Sequence, residues 1–127
     1  MWRPSVLIAE DNDDLRQLYI LTLSCRGFEV RMASDGREAL DELRQRRPDV
    51  LVTDVMMPQM DGVELIRQVR EEPELKDLPI IAFSAFPDYL SKAYLSGATE
   101  TIRKPMDLDA LFDALLRVLP QGKTLEH

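Results

Sequence analysis

Apolar residues in this chain fall into two alternating kinds of pattern. Val6-Leu7-Ile8-Ala9, Val50-Leu51-Val52-Thr53 and Ile80-Ile81-Ala82-Phe83 are short, nearly unbroken runs of strand length. Runs without polar alternation suit parallel strands covered on both faces. Glu29-Val30-Arg31-Met32 does alternate, which predicts a strand nearer a sheet edge, and Thr101-Ile102-Arg103 is a fifth, weaker strand. Between these runs the apolar positions recur at helical spacing. Leu15, Leu18, Leu21 and Cys25 follow the capping-type residues Asn12 and Asp13. Ala39, Leu40 and Leu43 mark a second helix, Leu65, Ile66 and Val69 a third, and Leu90, Ala93 and Tyr94 a short fourth. Leu108, Leu111, Phe112, Leu115 and Leu119 form the clearest stripe, stopped by Pro120 and Gly122. All five stripes are expected to face a core.

The order is strand, helix, five times over. Right-handed crossovers turn that order into an open, doubly wound α/β sheet or part of a barrel. Five units are too few for an eight-stranded barrel, so the open parallel sheet is expected. No linker, repeat or low-complexity stretch divides the chain. It reads as a single domain over residues 1–124, with Leu125-Glu126-His127 resembling a purification-tag remnant.

Composition narrows the function. The 127 residues are 45% hydrophobic and 31% charged, ordinary for a soluble domain. A net charge of −7 argues against a nucleic-acid surface, which needs clustered Lys and Arg. The one basic cluster, Arg44, Arg46 and Arg47, falls at an expected helix end, where cations complement the helix dipole. Cys25 is the only cysteine, so neither an intrachain disulfide nor a Cys-based metal site can form, and a buried structural thiol is expected. Met1 to Ser5 lacks a signal-peptide design, and no apolar run reaches the roughly 20 residues of a membrane helix. A cytoplasmic setting without membrane contact is expected. Apart from His127 in the tag-like end there is no histidine for acid–base work or for carrying a phosphoryl group.

In open α/β sheets, ligands sit outside the carboxyl ends of the strands. Glu10 and Asp11 follow the first strand, Asp54 ends the third, Ser84-Ala85 the fourth and Lys104-Pro105 the fifth. Each has an ordinary explanation: Glu10 and Asp11 could begin a helix, Asp54 could be a turn residue before Pro58, and Ser84 a cap. Together they are harder to dismiss. Three carboxylates converging at one sheet edge repel one another, and a hard cation with oxygen ligands, usually Mg²⁺, would relieve that.

These segments resemble receiver domains of bacterial response regulators. Leu7-Ile8-Ala9-Glu10-Asp11-Asn12 is similar to their acidic first-strand motif. Asp54-Val55-Met56-Met57-Pro58-Gln59-Met60-Asp61-Gly62 resembles their phosphoacceptor segment. Ser84-Ala85, Lys104-Pro105, Gly36-Arg37-Glu38-Ala39-Leu40 and Gly97-Ala98 match further family segments, and the likeness runs from about Val6 to Leu119. It implies a flavodoxin-like sheet of strand order 2-1-3-4-5. It also implies that Asp54 is the nucleophile and modified residue, taking a phosphoryl group from a sensor histidine kinase or histidine phosphotransfer protein. Asp11, Asp54 and the Met56 carbonyl would hold Mg²⁺, with Glu10 acting through water. Lys104, Ser84 and the Ala85 N–H would meet the phosphoryl oxygens, the Lys104–Pro105 bond would be cis, and Ser84, Ala85 and Thr101 would form the switch region. Met56 and Phe86 would flank the approach of a hydrolytic water. Such a chain is a switch that assists its own phosphorylation and dephosphorylation; it is not an enzyme acting on other substrates.

Other readings fit less well. Phosphatases and mutases with a strand-end aspartate place a second acid two residues on, where this chain has Met56. Nucleotide or flavin sites need Gly-rich phosphate turns, and the five glycines form none. A phosphorylation-independent adaptor is disfavoured by the intact acids, hydroxyl and lysine. Two departures from the family pattern bear on output. Thr101 stands where receivers usually carry Tyr or Phe, and the stretch from Phe86 to Ser96 looks short, with Pro87 holding Phe86 extended.

Overall fold

The unbroken apolar runs form the middle of a parallel sheet. The computed structural model describes residues 3–120, so Gly122 and the tag-like Leu125-Glu126-His127 lie outside the described residues. Strands β1 (Ser5–Ala9), β2 (Glu29–Ala33), β3 (Val50–Asp54), β4 (Ile80–Ser84) and β5 (Glu100–Arg103) lie in the order β2-β1-β3-β4-β5. All four pairings are parallel. In β3 and β4 every residue is buried, whereas the edge strands β2 and β5 keep exposed positions. The alternating run was therefore the edge strand.

Helices α1 (Asp13–Cys25), α2 (Gly36–Gln45), α3 (Gly62–Glu71), α4 (Pro87–Ser96) and α5 (Leu108–Val118) cover both faces. Successive strand residues point to opposite sides, and they divide two cores accordingly. Leu7, Leu51, Ile80 and Ala82 meet α2, α3 and Ala93 of α4. Val6, Ile8, Val52, Ile81 and Phe83 meet α1 and α5, where Tyr19 packs edge-on against Phe83. Caps fix the helix starts: Asn12, Asp35, Asp61 and Asp107 each accept a backbone N–H with their side chains. Each such cap is worth about 1 kcal/mol. The basic cluster does sit at the end of α2, where Arg44 pairs with Glu72 (2.6 Å) and Arg46 with Glu29 (2.9 Å).

Three expectations about helix faces are corrected. The buried residues of α1 are Arg16, Tyr19 and Leu23, while Leu18 and Leu21 are exposed. Cys25 is exposed as well, not a buried thiol. Of the expected stripe only Leu15 packs against the core, because the helix carries apolar residues on more than one side and spacing alone does not choose between them. Tyr94 of α4 is 62% exposed, and Ala93 alone of that helix is buried. At ten residues, α4 is as long as α2 and α3.

Candidate functional site at the carboxyl end of the sheet

β1 and β3 are neighbours, and their carboxyl ends bring Glu10 and Asp11 beside Asp54. One carboxylate oxygen from each of the three lies within 4.8 Å of the others. Asp11 is exposed, whereas Glu10 and Asp54 are 1% and 3% exposed. The ordinary explanations do not describe these positions. α1 begins only at Asp13 behind the Asn12 cap, and Asp54 closes a buried strand. Ser84 is the buried last residue of β4, and the residue capping α4 is Phe86.

Asp54 is held from two directions. Lys104 Nζ donates to its Oδ2 at 2.9 Å, and the Met56 N–H donates to Oδ1 at 3.2 Å. Lys104 follows β5, and its own N–H donates to Ser84 O at 2.8 Å, which fixes its root to the neighbouring strand. Its ammonium lies 5.2 Å from the centre of the Phe83 ring and 3.6 Å from Glu10 Oε1. Burial opposes the charged ammonium, but the hydrogen bond and charge of Asp54, with Glu10, outweigh it and raise its pKa. The Lys104–Pro105 bond is cis.

Glu10 is the strained member of the group. Its Oε2 accepts the Asn12 N–H at 3.2 Å, but its buried Oε1 has no hydrogen-bond partner. Burial first, then the Asp54 charge, push its pKa from 4.5 to about 7, against the pull of the Asn12 N–H and Lys104. An orphaned buried carboxylate oxygen costs on the order of 1–3 kcal/mol. An all-oxygen donor set with such an orphan suits a hard divalent cation, and the residues present fit Mg²⁺.

Ser84, 1% exposed, accepts the Phe86 N–H on its Oγ at 3.1 Å. Ala85 and Phe86 are exposed beyond it. Ala85 also lines a cleft of about 450 Å³ with Leu15, Leu18, Tyr19, Lys104 and Met106. Thr101 is not at the carboxylate cluster. It faces outward on β5 and lines a groove with Leu90, Ser91, Tyr94 and Leu95 of α4. Met56 is 46% exposed and Phe86 54% exposed.

Sequence reasoning missed Arg16. This residue is 9% exposed and donates from Nη1 to the Glu10 carbonyl at 2.9 Å and from Nη2 to Asp13. It thereby ties the acidic loop to α1. The available signal was the helical spacing of Arg16 with Tyr19 and Leu23, a charged residue within a buried stripe. Gly62 was also passed over as a site residue. A Cβ there would lie 2.5 Å from Asp54 O, so only glycine lets α3 start this close to Asp54.

Known proteins resemble this chain in sequence and in fold. The family profile described as the response regulator receiver domain matches residues 6–116. The response regulator MprA of Mycolicibacterium vanbaalenii is 39% identical over 94% of this chain and 51% of that protein. MprA of Mycobacterium tuberculosis is 37% identical over 93% and 51%. The chain therefore spans about half the length of the curated relatives it matches. Among solved structures, the chemotaxis response regulator CheY4 of Vibrio cholerae superposes with a TM-score of 0.87 at 36% identity, covering 93% of this chain and 100% of that one. The signal receiver domain of a signal transduction histidine kinase from Syntrophus aciditrophicus gives 0.86 at 29% identity, covering 98% and 99%. With its fold, its strand order and the match over most of its length, the chain belongs to the response regulator receiver domain family.

Proposed function

We propose that this receiver domain switches when the Asp54 carboxylate accepts a phosphoryl group from phosphohistidine on a sensor histidine kinase or histidine phosphotransfer protein. One observation carries the assignment. Asp54 is buried at the end of β3, yet its two oxygens are oriented by the Lys104 ammonium and the Met56 N–H, beside a carboxylate with an orphaned oxygen. An Asp54 oxygen attacks phosphorus in line, the P–O bond forms, and the P–N bond breaks with its electron pair returning to the imidazole. Little covalent help is needed; positioning and neutralisation of spreading charge do most of the work.

Asp11, Asp54 and the Met56 carbonyl would hold Mg²⁺, with Glu10 acting through water. When bound, the ion supplies positive charge to the phosphoryl oxygens. Lys104 would supply a second positive charge through its bond to Asp54 Oδ2, and its pairing with Asp54 and Glu10 favours the charged ammonium. The Ser84 hydroxyl, whose Oγ accepts the Phe86 N–H, would exchange its present position for one in which its O–H donates to a phosphoryl oxygen. That exchange would draw in the loop after β4 and bias the α4–β5 surface. Thr101 is too small to act there as a swinging ring.

The apolar cleft beside Lys104 offers the donor protein a foothold next to the acceptor. With a net charge of −7, the domain is proposed to make no direct nucleic-acid contact. Among the described residues no helix is long and apolar enough to cross a membrane; the proposed setting is the cytoplasm. The domain assists its own phosphorylation and dephosphorylation and does not turn over other substrates.

Incubation with Mg²⁺ and acetyl phosphate tests the proposal by intact mass. Wild type is expected to gain one phosphoryl group and Asp54→Asn none. Equal labelling of both proteins would overturn the assignment.

A further inference from the structure

The segment joining Asp54 to α3 is held at places where a side chain would not fit. At its far end the Gly62 N–H donates to Val55 O at 2.8 Å. Near its middle Gln59 has a φ of 67°, uncommon for a residue with a Cβ, and the Met60 N–H donates back to Pro58 O at 2.7 Å. This closes a γ-turn, a strained conformation that persists only when its surroundings impose it.

The surroundings are the start of α2. The Gly36 N–H donates to Met60 O at 3.1 Å. A Cβ on Gly36 would lie 2.1 Å from that same oxygen and 2.8 Å from the Met60 carbonyl carbon. The first N–H of a helix has no partner within the helix; here it is satisfied by the acceptor segment. The anchor itself is fixed by a reciprocal cap. Asp35 accepts the Glu38 N–H at 2.8 Å, and Glu38 accepts the Ser34 hydroxyl at 2.7 Å. The Met57 and Met60 side chains pack against the core formed with α2 and α3.

We infer that Gly36 is a positioning residue for the acceptor segment: through its hydrogen bond to Met60 and its close approach beneath it, Gly36 sets where residues 55–61 stand relative to Asp54, and thereby the affinity for Mg²⁺. The inference rests on the Mg²⁺ site proposed above. A Cβ at position 36 forces the Met60 backbone away, because both nearest contacts are main-chain atoms. The displacement is passed along a short, strained turn to Met56. The helix needs no glycine for its own sake, since φ at Gly36 is not in the left-handed region.

The test is calorimetric titration of the whole chain with Mg²⁺ alone. Gly36→Ala is expected to weaken binding about tenfold, the scale of supporting-shell changes at metal sites. Leu43→Ala, buried at the other end of α2, controls for destabilisation of the helix. It is expected to lower the melting temperature yet leave the dissociation constant within roughly twofold of wild type, as for distant sites. A Gly36→Ala protein binding Mg²⁺ as wild type does would overturn the inference. Should that variant not fold, amide exchange on wild type decides. Exchange at Gly36 is expected to slow on Mg²⁺ saturation more than at Glu38, whose N–H is held by Asp35. Equal responses at the two amides would overturn it. Wild type that binds no Mg²⁺ would instead remove the proposed metal site, and the inference with it.

Discussion

The carboxyl ends of β1 and β3 and the α4–β5 side of the same sheet are built in opposite ways. At the first, Glu10, Asp54 and Ser84 are almost fully buried, and Lys104, Met56 N–H and Arg16 hold them through hydrogen bonds spanning the β1, β3 and β5 ends and α1. At the second, α4 buries only Ala93, its residues Tyr94 and Leu95 are 62% and 84% exposed, and Thr101 faces solvent. Charge stabilisation needs groups fixed in advance. A surface that reports the event needs to be displaced cheaply, and segments with few buried contacts are the ones that move at low cost. Under the proposed function the contrast would separate acceptance of the phosphoryl group from its readout, and substitutions in the two regions are expected to fail differently.

The largest effect is expected at Lys104. Lys104→Ala leaves Asp54 and Glu10 facing each other without their common cation. Phosphoryl uptake from acetyl phosphate at fixed Mg²⁺ is expected to slow about 10²–10³-fold, as for loss of one charge-stabilising donor. A slowing of only a few-fold would place the needed positive charge elsewhere.

Glu10 gives the next. Its folded pKa of about 7 lies above the ordinary 4.5, so between those values the folded chain holds the extra proton. Stability of the Mg²⁺-free protein therefore falls as pH rises through that window, by on the order of 2 kcal/mol, and levels off above it. Denaturant unfolding at pH 5 and pH 8 measures this, and Glu10→Gln is expected to flatten the dependence. A wild-type protein more stable at pH 8 than at pH 5 would contradict the burial argument.

A smaller change is expected from the residues at the mouth. Met56 and Phe86 are half-exposed and cannot anchor a water by a strong hydrogen bond. Met56→Asn combined with Phe86→Glu is expected to speed phosphoryl loss about tenfold, which is about 1.4 kcal/mol of barrier. A time course at fixed Mg²⁺ reads it, and an unchanged or slower rate would show that other contacts govern water access.

The smallest effect sharpens the contrast between regions. Ser84→Ala is expected to reduce the phosphorylation-dependent chemical-shift changes along α4 and β5, while Thr101→Ala leaves them within experimental scatter. Large losses from Thr101→Ala beside a normal Ser84→Ala response would reverse the proposed route of the signal.

The same contrast marks what was legible in the sequence. β3 and β4 are buried on both faces, so their runs carried no alternation to misread, and the Asp54 and Ser84 that close them were visible as strand ends. α1 was harder, because apolar residues around its circumference allow more than one stripe. The buried stripe runs through Arg16, Tyr19 and Leu23, with Tyr19 against Phe83 of the sheet and Arg16 on the Glu10 carbonyl, contacts made only in the folded chain. Tyr94 misled for a related reason: α4 buries Ala93 and packs Tyr89 on the core, and Tyr94 falls outside that face. The close approaches of Gly36 to Met60 and of Gly62 to Asp54 are made by the folded backbone, which no hydrophobic pattern records.

The position of the phosphoryl group tests Asp54 as the acceptor most directly. After incubation with Mg²⁺ and acetyl phosphate, an aspartyl phosphate can be reduced with borohydride, which leaves homoserine at the modified position for peptide mass mapping. The expected result is a single homoserine at position 54, absent when Mg²⁺ is withheld. Homoserine at Asp11 or another acid, or a phosphoryl group retained on a serine or threonine, would contradict the assignment of Asp54 as the acceptor.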